Sequence, residues 1–446
     1  MKRIAVVGGG IAGLAAARVL GRTAQVTLYE AGDHFGGHTR TIDVTLGGRT
    51  HAVDAGFVVF DGQHDTEVTA LFAELGVATA PAEVSFSVQI PSAGVEWRTP
   101  GWSGVFAQPS NLLRPGMWGL PGEIARFRKL GARLLGREPG NDGPSAGDPL
   151  GDFLESHRFS TAFRDWCLLP MVASIWSCPT EQALRFPVAM LLRFCAEHGV
   201  LEAGGTASWR SVRGGASIYV DKMLDAIADA RLATPVTRVR RLSLGGAEVS
   251  TARGSERFDA VVLACHSDQS LALLADPSDE EREVLGAIRW QRNRAVVHTD
   301  ARFLPERRAA WAAWNYEHPR EQPDATTPPC LHTLVNRLQP LPFDRPVIVS
   351  LNPLHEPASA LVQGEFHYAH PVFERRAVAA QARLASLQGE RDTWYCGAWT
   401  RHGTHEDGLV SALAVCRAIS ERAAAPVSAT SPSGESRGTA PPPRRS

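Results

Sequence analysis

An α/β fold is predicted by three features of the first thirty residues. An apolar run over residues 4–7 is typical of a buried strand, and it leads directly into the glycine-rich segment 8–13. Residues 14–20 have the composition of a helix, and a second apolar strand over residues 25–29 ends at Glu30. Strand, glycine turn, helix, strand and acid in this order predict a Rossmann-type dinucleotide-binding unit. A glycine-rich turn that binds no ligand is the alternative.

The glycine turn assigns a physical role to each of its positions. Gly8 permits the tight turn, Gly10 lets the backbone approach a pyrophosphate, and Gly13 lets the helix pack closely on the strand. Ile11 and Ala12 complete the start of the helix, whose free N–H groups and partial positive charge face the phosphates. All five positions are therefore predicted to bind the cofactor.

A second pair of glycines, Gly36 and Gly37, follows Glu30, which is predicted to accept hydrogen bonds from a ribose diol. This pair resembles the extended fingerprint of FAD-containing flavoproteins, including the flavin amine oxidase superfamily; an ordinary turn is the alternative. Arginines surround the pair in that superfamily, whereas His38 stands here where an arginine is common. The resemblance implies FAD as the cofactor and His38 as one of its contacts. It also implies contacts from Ala31, Thr39, Gly56 and Phe57.

Two distant segments resemble other flavin motifs of the same superfamily. Residues 213–227 resemble the glycine pair and helix before the second cofactor strand, which would place Val236 near the adenine. Residues 394–413 resemble the C-terminal flavin motif, in which a helix begins beside the pyrimidine edge of the ring. The contacts implied there are Gly397, Asp407, Gly408 and Leu409. Ala398 stands where an acid is common, so Glu406 or Asp407 is expected to contact the ribityl chain.

The resemblance extends from residue 1 to about residue 420 and implies two interleaved domains, as in flavoproteins of the amine oxidase and glutathione reductase type. Residues 1–60, 205–285 and 391–422 are expected to form a Rossmann-type FAD-binding domain. Residues 61–204 and 286–390 are expected to form an α+β substrate domain. Residues 424–446 are rich in alanine, serine, proline and arginine, which predicts a disordered tail.

Composition limits the function classes. The 446-residue chain has a net charge of −1, which gives no indication of a nucleic-acid partner. Its seven cysteines form no C-x-x-C pair, which is typical of reduced thiols in the cytoplasm. Basic residues precede the apolar run over residues 4–17 as in a signal peptide, but the run is too short to span a membrane. We therefore expect a cytoplasmic protein, with export as the alternative.

The segment 112–137 is amphipathic and strongly basic. It carries six arginine and lysine residues against one acid, Glu123. A solvated helix face explains this pattern, and peripheral contact with an anionic membrane is the alternative.

The resemblance implies that FAD carries the chemistry, by accepting a hydride from a substrate C–H bond at flavin N5. In many amine oxidases of this superfamily a lysine holds a water molecule near N5. The segment that corresponds here, residues 292–298, contains no lysine, and none follows Lys222. This departure counts against simple amine oxidation.

His402 and His405 are the candidate catalytic residues, because they precede the helix at the flavin. Proton transfer or orientation beside the ring is one interpretation, and a loop histidine bonded to backbone is the other. Neither His402 with His405 nor His367 with His370 has a convincing set of further ligands. No metal site is therefore predicted.

Four further segments resemble one subgroup of uncharacterised flavoproteins in the superfamily: residues 174–177, 293–296, 313–316 and 405–409. That subgroup is associated with modification of membrane fatty acyl chains. The resemblance implies an FAD-dependent oxidoreductase that desaturates or oxidises a lipid acyl chain. The alternatives are an FAD-dependent oxidase of an amine or other small metabolite, a non-catalytic flavin-binding scaffold or partner subunit, and a nicotinamide-dependent dehydrogenase.

Overall fold

The computed structural model describes residues 1–136, 147–198, 208–319 and 327–424. Residues 425–446 of the expected tail, residue 137 of the basic segment, and residues 205–207 at the start of a cofactor segment lie outside the described residues. The described chain is a mixed α/β structure with a parallel sheet, which confirms the predicted fold class.

The strands are, in chain order, β1 Arg3–Val7, β2 Gln25–Tyr29, β3 Thr41–Leu46, β4 Arg49–Asp54, β5 Phe60–Asp61, β6 Thr79–Pro81, β7 Phe86–Ile90, β8 Val95–Arg98, β9 Trp209–Val212, β10 Asp229–Arg231, β11 Val236–Arg241, β12 Ala247–Thr251, β13 Gly254–Phe258, β14 Ala260–Leu263, β15 Arg289–His298, β16 Trp314–Glu317, β17 Cys330–Leu334, β18 Ile348–Leu351, β19 Val362–Val372 and β20 Thr393–Tyr395.

The α-helices are α1 Ile11–Leu20, α2 Thr66–Glu74, α3 Trp102–Val105, α4 Pro115–Leu135, α5 Leu150–Ser156, α6 Thr161–Phe163, α7 Leu169–Trp176, α8 Thr180–Ala183, α9 Val188–Glu197, α10 Ser217–Leu224, α11 Ser267–Leu273, α12 Asp279–Leu285, α13 Val335–Leu338, α14 Arg375–Leu387 and α15 His405–Ala424. A π-helical turn, Arg164–Leu168, joins α6 to α7. The 3₁₀ turns are Pro109–Leu113, Ala301–Phe303, Arg308–Ala310, Ser359–Leu361, Glu390–Asp392 and Ala398–Thr400.

The first sheet is parallel throughout and has the order β10-β2-β1-β14-β20. All four residues of β14 are buried, as are the last four of β1, because helices cover both faces of the sheet. Continuous apolar strands are typical of such doubly covered parallel sheets. Helices α1, α10 and α15 pack in one apolar cluster on one face, and α12 and α14 belong to the cluster on the other.

The second large sheet has seven strands in the order β19-β15-β18-β17-β16-β7-β8, and only the β16–β7 pair is parallel. One face of it packs on α4, α5, α7 and α9. The residues that α4 buries include Met117, Leu120, Phe127 and Leu134, whose spacing is that of one helix face. This sheet and its helices form the second wall of the site described below.

Smaller sheets complete the structure: β3 pairs with β4, β11 to β13 form an antiparallel meander, and β9 lies between β5 and β6. No helix among the described residues is long and apolar enough to cross a membrane.

Candidate functional site

A cavity of about 860 Å³ opens at the carboxyl ends of the parallel strands. It is lined by the glycine turn after β1, by Glu30 after β2 and by residues 264–266 after β14. Doubly wound sheets bind their ligands at this edge, because the strand-to-helix loops meet there. The opposite wall consists of residues of β15 to β19, so the cavity lies between the two large sheets.

The glycine turn has the geometry of a phosphate cradle. Leu14 donates the first hydrogen bond within α1, to the carbonyl of Gly10 at 2.9 Å, so the N–H groups just before Leu14 lie at the free end of the helix. Gly10 has an ordinary φ of −72°, and a Cβ added to it would meet no atom within 4 Å. The backbone therefore does not require a glycine at this position. Space for a ligand does explain the glycine.

Gly13 has a different role, which is packing. A Cβ added to Gly13 would lie 1.8 Å from the carbonyl oxygen of Gly8, so only glycine lets α1 follow the turn this closely. Glu30 fixes the turn from the other side, because its carboxylate accepts hydrogen bonds of 2.6 Å from the N–H groups of Gly9 and Gly32. A carboxylate has further lone pairs, which leaves acceptor capacity for a ribose diol.

Most of the predicted cofactor contacts line this cavity. Those in its wall are Gly8, Gly10, Ile11, Ala12, Glu30, Ala31, Gly36, Gly37, His38, Gly56, Phe57, Val236 and Gly397. Both candidate catalytic histidines, His402 and His405, also line it. The predicted contacts that are not in the wall are Gly13, Thr39, Asp407, Gly408 and Leu409.

The two acids expected at the ribityl chain both bond to helix N-termini. Asp407 and Thr404 form a capping box: the Asp407 carboxylate accepts from the Thr404 N–H at 3.0 Å, and the Thr404 hydroxyl accepts from the Asp407 N–H at 3.1 Å. Glu406 accepts hydrogen bonds of 2.9 Å from the N–H groups of Glu67 and Val68, at the start of α2. Both carboxylates therefore satisfy helix N-termini, and a contact of one of them with the ribityl chain stays a prediction.

Gly408 and Leu409 serve packing. A Cβ at Gly408 would approach a methyl group of Ile11 to 3.0 Å, so this glycine permits close contact between α15 and α1. Leu409 is buried in the same apolar cluster.

His405 is the first residue of α15, and its side chain is not bonded to backbone. Its Nε2 lies 2.7 Å from the Tyr219 hydroxyl and 3.1 Å from the Thr39 hydroxyl, and its ring stacks on Phe57 with centroids 3.6 Å apart. The interpretation of His405 as a backbone-bonded loop histidine is therefore wrong. Burial lowers the pKa of His405 to about 3, so the ring is neutral at physiological pH.

Three more histidines form a stack in the cavity wall. The ring of His38 lies parallel to His370 at 5.2 Å and to His266 at 6.1 Å, and His266 stacks on Trp290 at 3.7 Å. Burial lowers the pKa of His38 to about 4 and the pKa values of His266 and His370 to about 3. His38 therefore puts a neutral ring where the superfamily commonly has a charged arginine.

Two buried polar groups that the sequence patterns do not single out line the cavity, Asp65 and His198. Asp65 is 6% exposed; one carboxylate oxygen accepts from the Asp61 N–H at 2.7 Å, and the other has no hydrogen-bond partner. His198 is 8% exposed, its Nδ1 is also without a partner, and its ring packs on Phe194. Burial raises the pKa of Asp65 to about 7 and lowers the pKa of His198.

Unsatisfied buried polar atoms are rare in native proteins, so each of these two residues in the cavity wall is expected to meet a ligand. No motif in the sequence distinguishes either residue. No arginine or lysine is among the described residues that line the cavity.

The sequence profile of the family described as flavin containing amine oxidoreductase matches residues 11–299, which is more than half of the chain. The chain belongs to this family. It is therefore an FAD-dependent oxidoreductase of the amine oxidase superfamily, as the glycine motifs predicted.

Solved structures share the fold of this flavoprotein across nearly the whole chain. Cyclohexylamine oxidase from Brevibacterium oxydans IH-35A is 16% identical, with a TM-score of 0.67 and coverage of 94% of this chain and 99% of that chain. Putrescine oxidase bound to putrescine gives the same values. A CLA-producing fatty acid isomerase from P. acnes is 17% identical, with a TM-score of 0.66 and coverage of 94% and 98%. The sequence matches no curated protein.

The residues present fit FAD. The free helix start at Gly10 and Ile11 suits the pyrophosphate, since N–H groups and the helix dipole stabilise anions without a charged side chain. Glu30 suits a ribose, and Val236 lies in the same wall for the adenine. With the pyrophosphate, ribose and adenine assigned in this way, the rest of the cavity would hold the flavin ring. Gly56, Phe57 and the start of α15 line that part.

Proposed function

We propose that this flavoprotein desaturates or oxidises the acyl chain of a lipid. The observation that carries the proposal is the apolar part of the wall opposite the cofactor motifs. Ala295, Leu331 and Leu351 line the cavity from β15, β17 and β18, with Trp314 beside them on β16. An apolar wall gains free energy by burying methylene groups, about 0.8 kcal/mol for each one. It offers little to a small charged substrate.

Bound FAD supplies the acceptor for the hydride that leaves a substrate C–H bond. In a desaturation a proton also leaves the neighbouring carbon of the substrate, and a side chain of the protein must accept that proton. His402 lines the cavity, and its Nδ1 lies 3.4 Å from the carboxylate of Glu197. An imidazole oriented by a carboxylate is a common general base. We therefore assign to His402 the role of the base that accepts this proton.

The polar pair Asp65 and His198 is proposed to hold the polar end of the substrate. At neutral pH His198 is uncharged and Asp65 is close to half-protonated, so together they offer a hydrogen-bond donor and acceptors that lack partners. An ester or hydroxyl group at the end of an apolar chain matches this arrangement.

Asp65→Asn is expected to remove a pH dependence from substrate binding. In the wild type, the substrate concentration that gives half-maximal flavin reduction should change with an apparent pKa of about 7, as Asp65 loses its proton. In the variant the same quantity should stay constant between about pH 6 and pH 8, because an amide does not titrate in this range. Stopped-flow photometry at several pH values measures this substrate concentration. The matched control is Asp43→Asn at an exposed carboxylate of β3, and a wild-type profile that persists in Asp65→Asn would contradict the assignment.

A second candidate is oxidation of an amine. Trp176, Phe194 and Trp209 line the same cavity as Asp65, and aromatic rings together with an acid also suit a cation. Cyclohexylamine oxidase and putrescine oxidase act on amines, whereas the fatty acid isomerase acts on a fatty acid. The segment expected to carry the amine oxidase lysine has none, which favours the acyl substrate.

We further propose that the protein contacts membranes through a patch comprising Trp102, Leu112, Leu113 and Trp118. Each of these side chains is at least half exposed, although large apolar residues are usually buried. Helix α4, on which Trp118 lies, also carries Lys129 and other basic residues, and Glu123 is its only acid. Exposed tryptophans and leucines beside basic charge match an anionic lipid surface.

The membrane proposal predicts salt-sensitive binding to vesicles that contain anionic phospholipid. The double variant Leu113→Ser with Trp118→Ser should bind such vesicles at least about tenfold more weakly, because each large apolar side chain contributes roughly 1.5–3 kcal/mol. Co-sedimentation measures the bound fraction. Leu244→Ser is the control, since Leu244 is fully exposed elsewhere on the molecule. Equal binding of all three proteins, or wild-type binding that salt leaves unchanged, would contradict the proposal.

We propose a division of the chain that follows its two large sheets, with residues 1–60, 205–285 and 391–422 as the cofactor domain and residues 61–204 and 286–390 as the substrate domain. The parallel sheet takes its strands from the first group, and the seven-stranded sheet takes its strands from the second. All seven cysteines are free thiols, which suits the proposed cytoplasmic, membrane-peripheral location.

A further inference from the structure

A cluster of metal-binding side chains lies behind the wall of the cavity. Leu331 of β17 lines the cavity, and side chains alternate along a strand, so its neighbours Cys330 and His332 are on the other face of the sheet. Glu317 of β16 is the cross-strand partner of Cys330 and shares that face. His355, in the connection that follows β18, approaches the same group.

Three of the donor atoms already have the spacing of a coordination sphere, since Glu317, Cys330 and His332 each offer a ligand atom within 4.8 Å of the other two. His332 Nε2 lies 3.0 Å from a Glu317 carboxylate oxygen and 3.3 Å from Cys330 Sγ. His355 Nε2 lies 3.6 Å from the second Glu317 oxygen. In a tetrahedral zinc site with bonds of about 2.0–2.3 Å, neighbouring ligand atoms are about 3.3–3.6 Å apart. Small side-chain shifts would bring Glu317, Cys330 and His332 to that geometry, and a rotation of the exposed His355 side chain would supply the fourth ligand.

The ring of His332 is oriented by a second layer of hydrogen bonds. Its Nδ1 lies 2.7 Å from the Ser350 hydroxyl, which lies 2.7 Å from His298 Nε2. The Asp300 N–H in turn donates to His298 Nδ1 at 3.1 Å. A histidine held at one ring nitrogen with the other directed at a site is the usual arrangement of a metal ligand.

Charge and burial also favour a cation. Cys330 and His332 are fully buried, and the side chain of Glu317 is 13% exposed. Within the described chain the ion pairs of Glu317 are with His332 and His355 only, and neither an arginine nor a lysine approaches it. A nearly buried carboxylate without a permanent cation is costly, and a divalent ion would balance both this carboxylate and a Cys330 thiolate.

We propose that Glu317, Cys330, His332 and His355 bind one Zn²⁺ ion. The mixed sulfur, nitrogen and oxygen donors suit zinc, and the exposed His355, whose side chain is 64% accessible, provides the entry path. Because the site lies on the face of the sheet opposite the cavity, the ion is structural. It fixes β16, β17 and the connection after β18, and so stiffens the wall that the substrate contacts.

Metal analysis of the purified flavoprotein tests the proposal. We expect about one zinc per chain. After removal of zinc with a chelator, addition of Co²⁺ should produce the near-ultraviolet charge-transfer band of a cobalt–thiolate bond. Cys330→Ser should lose that band, and His355→Ala should bind cobalt at least about tenfold more weakly, since one of four ligands is missing. His355 lies at the surface, so this variant is expected to fold.

Two variants serve as controls. Cys195→Ser changes another buried thiol, and His367→Ala changes another exposed imidazole, and both should retain one zinc per chain. Zinc should also raise the unfolding temperature of the wild type and of both controls, with the flavin spectrum unchanged. A chain without stoichiometric zinc that shows no cobalt–thiolate band on titration would overturn the proposal and leave the cluster as a buried hydrogen-bond network.

Discussion

Gly10→Val is expected to give a folded but colourless protein. The Cβ that valine adds would meet no atom within 4 Å apart from its neighbours in the chain, and the φ of −72° suits any residue. The free protein should therefore keep its stability within about 1 kcal/mol. The same side chain would occupy the position of the pyrophosphate, so FAD affinity should fall by at least about 100-fold, or about 3 kcal/mol.

The measurement is the flavin content after purification, together with the unfolding temperature. Gly122→Val is the matched control, since a Cβ at Gly122 also meets nothing within 4 Å but lies on α4, away from the cavity. The control should retain its flavin. A Gly10→Val protein that remains fully yellow would show that the pyrophosphate does not lie against this turn.

Replacement of His370 by glutamine is expected to make the protein less sensitive to acid. The pKa of His370 is about 3 in the folded chain, compared with about 6.5 when unfolded, so the unfolded state binds an extra proton between these values. The group therefore contributes stability above about pH 6.5 that is lost as pH falls towards about 3. Removal of this imidazole should reduce the loss of unfolding free energy on acidification by about 1.4 kcal/mol per pH unit, or about 3 kcal/mol between pH 6 and pH 4.

Denaturant unfolding at several pH values gives the free energy of unfolding, and its slope against pH is the quantity to compare. His367→Gln is the control because His367 lies on the same strand with its side chain 74% exposed. The buried carboxyl groups of Asp54 and Asp65, with pKa values raised to about 6 and 7, act in the opposite direction in every variant and cancel in the comparison. A slope that is equal in the wild type and His370→Gln would contradict the assignment of a buried, neutral ring.

The cofactor half of the site was predictable because its signals are local. Backbone geometry within one strand–helix–strand unit fixes the turn at Gly8 and Gly10 and the acid Glu30. The spacing of these residues in the sequence therefore determines their arrangement in space. The fold class follows from the same unit, since apolar strands alternate with a helix. Family membership confirms both the fold and the FAD cofactor.

The remaining residues are brought together by long-range contacts that no local pattern records. His38 meets His266 and His370 only because three separate loops and strands converge on the cavity. The place of Asp407 before Gly408 predicts a cofactor contact, but the motif does not reveal that its carboxylate also accepts a hydrogen bond from the Thr404 N–H at the start of α15.

Anaerobic photometry of the bound flavin tests the proposed function most directly. The oxidised protein is mixed, in separate samples, with phospholipid vesicles and with primary amines, and the flavin band near ~450 nm is followed. The proposed function predicts that the lipid bleaches this band and that the amines do not. Bleaching by an amine alone would contradict the acyl-chain proposal in favour of amine oxidation, and a flavin that stays oxidised with every substrate would indicate a flavin-holding scaffold.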